Sequence, residues 1–322
     1  MLAVHLENGA VSTREVPVPP RPEGFALLRL LVGGICNTDL ELQRGYYGFS
    51  GIPGHEFVAE VAAADKAELV GKRVVGEINL ACGNCKWCWT RTRRHCPNRT
   101  VLGIMGHPGA FQEFFTLPER NLHVVPDAIP TDHAVFTEPL AAACRILDQV
   151  TIDFGQSVAV LGDGKLGLLI ALVLQAKGHR VHQFGHHPEK LRISAAAGVV
   201  TKLSDWGLPK AEYEWVVEAT GSPEGFRRAV EMAQPCGTVI MKSTVHGTVG
   251  MDTAPIIVNE IVLVGSRCGR MEAALPLLEQ GLIPVEKMIT GEYELEDADK
   301  AFARAAERGA LKILLRAPQA KL

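Results

Sequence analysis

Short apolar runs broken by glycine and proline dominate the first part of the chain. Runs such as 25–32 and 73–76 predict strands joined by irregular connections, so residues 1 to about 125 read as a β-rich, barrel-like unit. The pattern then changes. Residues 157–161 are a short buried-strand run, and 166–176 place apolar residues at helical spacing. A strand at 180–184, a helix from Pro188 and strands at 214–218, 238–241 and 261–264 follow. That alternation predicts βαβ units and a parallel sheet. Helices near 271–280 and 298–308 and a strand at 312–316 close the chain.

Composition narrows the class. The 322 residues suffice for two cores, and 47% apolar with 21% charged residues is ordinary for a globular protein. A net charge of −3 provides no basic field for nucleic acid. The longest apolar stretch, 166–174, is too short to span a bilayer, so no membrane partner is expected. The first residues show no basic start followed by an apolar core. The expected location is therefore a reducing cytoplasm.

Four of the eight cysteines form one local pattern: Cys82, Cys85, Cys88 and, after seven intervening residues, Cys96. Two overlapping Cys-x-x-Cys steps and a fourth thiolate can close a tetrahedron around one zinc ion, with no open position for chemistry. Two disulfides or an iron site are the alternatives, the former disfavoured in a reducing compartment. Lys86, Arg91, Arg93 and Arg94 lie inside the loop, either offsetting thiolate charge or simply solvated.

Gly162, Gly164 and Gly167 form Gly-x-Gly-x-x-Gly between a predicted strand and a predicted helix, with Lys165 and Leu166 inside the motif. In that context the first glycine allows the turn, the second lets a pyrophosphate approach, and the third lets helix and strand pack. The free N–H groups of the helix start then face the anion. An acidic residue about 20 positions on would favour NAD. The strand ends instead at Gly185, with His186, His187 and Lys190 beyond it. Room for a 2′-phosphate and nearby donors favour NADP over NAD, although no arginine is present for a bidentate contact.

Cys36, Thr38 and Asp39, then His55 and Glu56, lie in the β-rich part, and Glu138 at its far edge. A thiolate, an imidazole and one or two carboxylates can hold zinc with a position open. Spacing alone does not bring them together. A lone cysteine or histidine is more often a core residue.

These motifs, in this order from Val4 to Leu315, resemble the zinc-containing medium-chain dehydrogenase/reductase family, closest to its polyol, threonine and glucose dehydrogenase branch. The run 109–114 belongs to the same set. The resemblance implies an α/β fold: a Rossmann doubly wound parallel sheet at 139–267, and a GroES-like β-rich catalytic domain at 1–138 and 268–322 carrying the zinc lobe 82–96. It implies two zinc ions per chain. Cys36 and His55 would be catalytic ligands, with Glu56 and Glu138 both candidates for the third. Thr38 would relay a proton and Asp39 would orient the histidine. Cys82, Cys85, Cys88 and Cys96 would hold the structural ion. Thr220, Ser243, Thr244 and Val245, at later strand ends, would face the cofactor.

Two departures stand out. Glu41 takes the place of a relay histidine, and Gly185 that of the acidic residue. The expected reaction is reversible alcohol–carbonyl interconversion with NAD(P)(H) on a small polyol, sugar or alcohol. The alternatives are a quinone or enone reductase on the same fold, and a non-enzymatic zinc-stabilised nucleotide-binding protein. Relatives imply a homodimer or homotetramer, with 256–258 and 261–264 as candidate edge strands.

Overall fold

A computed structural model describes residues 1–90, 92–244 and 250–318. Arg91 and Val245 therefore lie outside the described residues. The chain divides into two compact units, one of residues 1–138, 274–280 and 289–322, the other of residues 139–273 and 281–288.

The first unit is built on a mainly antiparallel sheet, parallel only where Ile289–Glu294 meets Lys312–Arg316, and its central strand, Phe25–Ile35, is the longest. It alternates buried and half-buried positions before ending in a fully buried stretch at Val32–Ile35, the period-two signature of a sheet with one face on the core. Phe57–Ala63 pairs antiparallel on one side and Lys312–Arg316 on the other. Arg73–Gly76 and Leu122–Val124 extend the sheet beyond the former, Ile289–Glu294 beyond the latter. Phe111, Phe115, Phe136 and Phe302 are fully buried in this unit. A separate three-stranded sheet, Asn79–Leu80, Thr100–Leu102 and Gly106–His107, flanks the cysteine segment.

The second unit carries six parallel strands. In space they run Val200–Leu203, Arg180–Gly185, Ser157–Leu161, Tyr213–Glu218, Ala233–Met241, Val262–Gly265. In chain order this is third, second, first, fourth, fifth, sixth, the doubly wound dinucleotide-binding order. Helix Lys165–Ala176 is buried continuously from Gly167 to Leu174, which explains why its sequence is apolar on every face.

Residues 268–273 and 281–288, expected with the β-rich domain, group with the second unit. Local bonds tie in the first of these stretches: Lys242 Nζ donates to the Ala142 and Arg267 carbonyls, at 2.6 and 3.0 Å, and Arg270 donates to Asp148 at 3.0 Å. The run 256–258, expected as an edge strand, lies in a short helix, Ala254–Val258. Pro255 removes one backbone donor, which a first helical turn tolerates and a strand ladder does not. The edge strand is Val262–Gly265.

Candidate active site and nucleotide loop

Sheet register assembles the first cluster. Ile35, the last residue of the central strand, sits opposite Ile313, and Gly33 sits opposite Phe57. Cys36 thus leaves the central strand where His55 and Glu56 enter one neighbour and Lys312 enters the other. The ligand atoms of Cys36, His55 and Glu56 lie within 4.8 Å of one another. Glu138, half-buried in the first turn of helix Thr137–Gln149, is not among them.

Cys36 also caps helix Asn37–Gln43. Its backbone N–H donates to Asp39 Oδ2 at 2.9 Å. Asp39 is fully buried, accepts from Gly54 N at 3.3 Å through Oδ1, and faces His55 Nδ1 at 3.3 Å with the same oxygen. His55 Nδ1 has no other partner among the described residues. The carboxylate therefore fixes the ring and leaves Nε2 for a ligand. Burial lowers the affinity of His55 for a proton, but the charges and hydrogen bonds of Asp39 and Cys36 outweigh it and hold the pKa well above the usual value. Thr38 Oγ1 lies 3.8 Å from Cys36 Sγ. Glu41 forms an ion pair with exposed Arg44 at 2.7 Å, the solvated-acid alternative to a relay.

The residue that sequence reasoning missed is Lys312. It is 1% exposed, and its ammonium donates to Glu56 Oε2, itself on a buried side chain. Burial would lower its pKa, yet Glu56 and then Cys36 hold it above the ordinary lysine value. Its signal was a lysine at the head of the strand Lys312–Arg316, directly before the apolar, buried run Ile313 to Leu315. Gly34 makes room for the pair: a Cβ there would lie 3.0 Å from both Glu56 Oε2 and Lys312 Cδ.

This donor set fits a divalent ion. With Cys36 as thiolate and His55 neutral as a ligand, three anions (half-buried Cys36, buried Asp39 and Glu56) face one lysine, and the two remaining negative charges match a dication.

The four-cysteine segment fits a metal on geometry alone. Sulfur–sulfur distances are 3.8 Å for Cys82–Cys88, 3.5 Å for Cys85–Cys88, 3.7 Å for Cys85–Cys96 and 3.5 Å for Cys82–Cys96. A tetrahedron with metal–sulfur bonds of about 2.3 Å has edges of about 3.8 Å. Disulfides need about 2.05 Å, and all four cysteines are free. The Asn84 N–H and neighbouring Cys96 pull the Cys82 pKa down to about 6, whereas burial pushes Cys85 up to about 11.

In the second unit the glycine loop follows Ser157–Leu161 and opens helix Lys165–Ala176. Gly162 adopts φ 125°, and a Cβ there would strike the Ala219 carbonyl. A Cβ at Gly167 would lie 2.5 Å from Gly162 O. Gly164 has nothing within 4 Å of an added Cβ. The fold thus requires the outer glycines, while the middle one borders open space, as a loop built to admit a phosphate needs. Thr220 donates to Glu218 Oε1 through N at 2.7 Å and through Oγ1 at 2.6 Å. Ser243 Oγ donates to the same oxygen at 3.1 Å. Buried Glu218, not singled out from the sequence, therefore organises both strand ends. Thr244 is exposed beside them.

The space at Gly185 is not open. A Cβ there would collide with the carboxylate of Asp163, from the glycine loop itself. Asp163 Oδ2 accepts from the backbone N–H of His186 at 2.7 Å and of His187 at 2.6 Å. The premise that no carboxylate occupies this strand end is corrected: one does, supplied from 22 positions earlier in the chain.

The family profile of the alcohol dehydrogenase GroES-like domain matches residues 22–127. D-altritol 5-dehydrogenase from Agrobacterium fabrum is 30% identical, over 85% of this chain and 86% of its own. An alcohol dehydrogenase from Thermus sp. ATN1 superposes with TM-score 0.89 at 27% identity, covering 98% of this chain and 100% of that one. A Sinorhizobium meliloti 1021 protein, its structure described as that of a zinc-binding dehydrogenase bound to NADP, gives TM-score 0.89 at 26% identity, covering 98% of each chain.

Proposed function

We propose, for a chain that belongs to the zinc-dependent medium-chain dehydrogenase family, that its own reaction is reversible oxidation of a polyol or related small alcohol at the Cys36, His55, Glu56 cluster. Several relatives are named for such substrates, among them D-altritol 5-dehydrogenase and sorbitol dehydrogenase. The observation that carries the reading is the convergence of those three donors within 4.8 Å beside a buried lysine.

Bound zinc supplies Lewis-acid polarisation of an alcohol oxygen, and the nicotinamide supplies a hydride acceptor. The chain's residues do the rest. Cys36 and His55 hold the ion, and Asp39 keeps the imidazole in orientation. Glu56 is the third donor in reach, and Lys312 balances its charge and competes for it. Glu138 is the reserve candidate. Thr38 takes the proton that leaves the substrate oxygen as the carbon gives up hydride, so the alcohol becomes a carbonyl. Cys82, Cys85, Cys88 and Cys96 hold a second, structural ion. Gly162, Gly164, Lys165, Leu166 and Gly167 receive the pyrophosphate, with Thr220, Ser243 and Thr244 at neighbouring strand ends.

The four-thiol tetrahedron supports a reducing, cytoplasmic setting. Among the described residues no helix is long and apolar enough to cross a membrane. The apolar, largely exposed edge strand Val262–Gly265 and exposed Ile257 and Val258 support self-association as a dimer or tetramer.

The test is nicotinamide absorbance over a panel of polyols, sugars, amino alcohols and simple alcohols, with NAD and with NADP. Turnover that Cys36→Ser abolishes is expected, with two zinc ions per chain. One zinc per chain, with nucleotide bound but no turnover on any compound, would instead favour the non-enzymatic reading.

A further inference from the structure

The clearest unassigned group is the Asp163 carboxylate. It is 7% exposed and lies in the middle of the nucleotide loop, in the space left by Gly185. Its Oδ2 takes the two backbone N–H groups that open helix Pro188–Ala195, and His187 Nδ1 lies 3.1 Å from Oδ2 and 3.2 Å from Oδ1. Oδ1 makes no other hydrogen bond among the described residues, which leaves it an accepting lone pair.

Two of the three basic groups expected to receive a 2′-phosphate are already engaged. His187 is turned to Asp163, and His186 pairs with Asp205 at 2.7 Å. Against two carboxylates this turn sets one lysine, Lys190, which makes no ion pair among the described residues. The backbone N–H groups a phosphate would use carry Asp163 instead. A carboxylate at the end of the second strand accepts from ribose hydroxyls. The same carboxylate repels a phosphate of nearly two negative charges.

Resting on the dehydrogenase reading, we infer that Asp163 is the specificity-determining residue for the nucleotide: it supplies from the glycine loop the carboxylate missing at Gly185, and selects NAD(H) against NADP(H). This reverses the preference drawn from the sequence. Gly185 then has a second role. Being a glycine, it admits a neighbour's carboxylate where other chains would carry their own.

The experiment is equilibrium titration of the purified protein with NADH and with NADPH, read by fluorescence, and competition by ADP and by 2′,5′-ADP. Wild type should bind NADH at least about tenfold more tightly, and ADP should compete better than 2′,5′-ADP. Asp163→Asn keeps an oxygen for the two N–H groups but removes the charge. It should cut that ratio by about tenfold or more, partly through tighter NADPH binding. A merely structural aspartate would weaken both ligands alike and leave the ratio unchanged, which overturns the proposal. Tighter NADPH than NADH binding by wild type overturns it too, while leaving the dehydrogenase reading intact. Binding of neither removes both. Should Asp163→Asn not fold, the wild-type ratios decide alone.

Discussion

The β-rich unit holds two thiolate sites of opposite construction. The Cys82, Cys85, Cys88, Cys96 lobe is made within 15 consecutive residues, with Cys82 exposed, Cys85 half-buried and only Cys88 and Cys96 buried. Its four sulfurs complete a tetrahedron by themselves. The Cys36, His55, Glu56 cluster comes from separate segments, is largely buried, and offers three donors of three kinds. Its charge is completed by Lys312, 256 positions from Glu56. A closed site of identical ligands can stabilise a lobe. An open site of mixed ligands leaves a coordination position for a substrate, and the surrounding fold must hold it in place.

Parallel serine substitutions break this comparison most sharply. Cys36→Ser should lower turnover by about ten-thousandfold, since a Lewis acid contributes several kcal/mol at about 1.36 kcal/mol per decade. Metal content should drop by one equivalent with little change in the unfolding midpoint. Cys88→Ser should also lose one equivalent, but with turnover per folded chain largely retained and the midpoint lowered by about 2–4 °C for each kcal/mol lost. Elemental analysis beside initial rates and thermal unfolding checks both. Equal loss of turnover in the two variants would erase the distinction drawn between them.

The Glu56–Lys312 pair comes next. Lys312→Met leaves a buried carboxylate without its counterion, at a cost of about 3–5 kcal/mol. Adding Glu56→Gln should recover most of the thermal stability but not the turnover. A single variant as stable as wild type would show that Lys312 is not Glu56's counterion.

The smallest effect belongs to a pair at the surface. Arg270 holds Asp148 in the second unit, and Arg270 is 57% exposed. Burial pushes the Asp148 pKa up, but Arg270 and Arg145 outweigh it and hold it below the ordinary value. A depressed carboxylate contributes stability that is fully present above its unfolded pKa of about 3.9 and is lost as pH falls through the folded value. Asp148→Asn should therefore cost no more than about 1 kcal/mol at neutral pH, and less in high salt. Acid unfolding curves of the two proteins should converge at low pH; curves that stay apart would assign the effect to something other than this charge.

How far each feature could be read in the sequence follows from its range. The lobe and the glycine loop are local, so spacing and flanking strand and helix patterns sufficed. The relation of Cys36 to His55 came through the family resemblance, because no spacing rule joins residues on neighbouring strands. Lys312 and Glu218 escaped because a charged residue in an apolar strand carries no label for its partner. The helix Ala254–Val258 escaped because a short apolar run has no period long enough to separate helix from strand.

The sequence by itself determined the alternation of strand and helix, the four-sulfur lobe and the nucleotide loop, since each depends on neighbours along the chain. Only the tertiary structure decided which carboxylate stands at Gly185 and which cation answers Glu56. Both depend on side chains meeting across a sheet end or a tight turn, and a charge acts on whatever lies within a few ångströms, however distant in sequence.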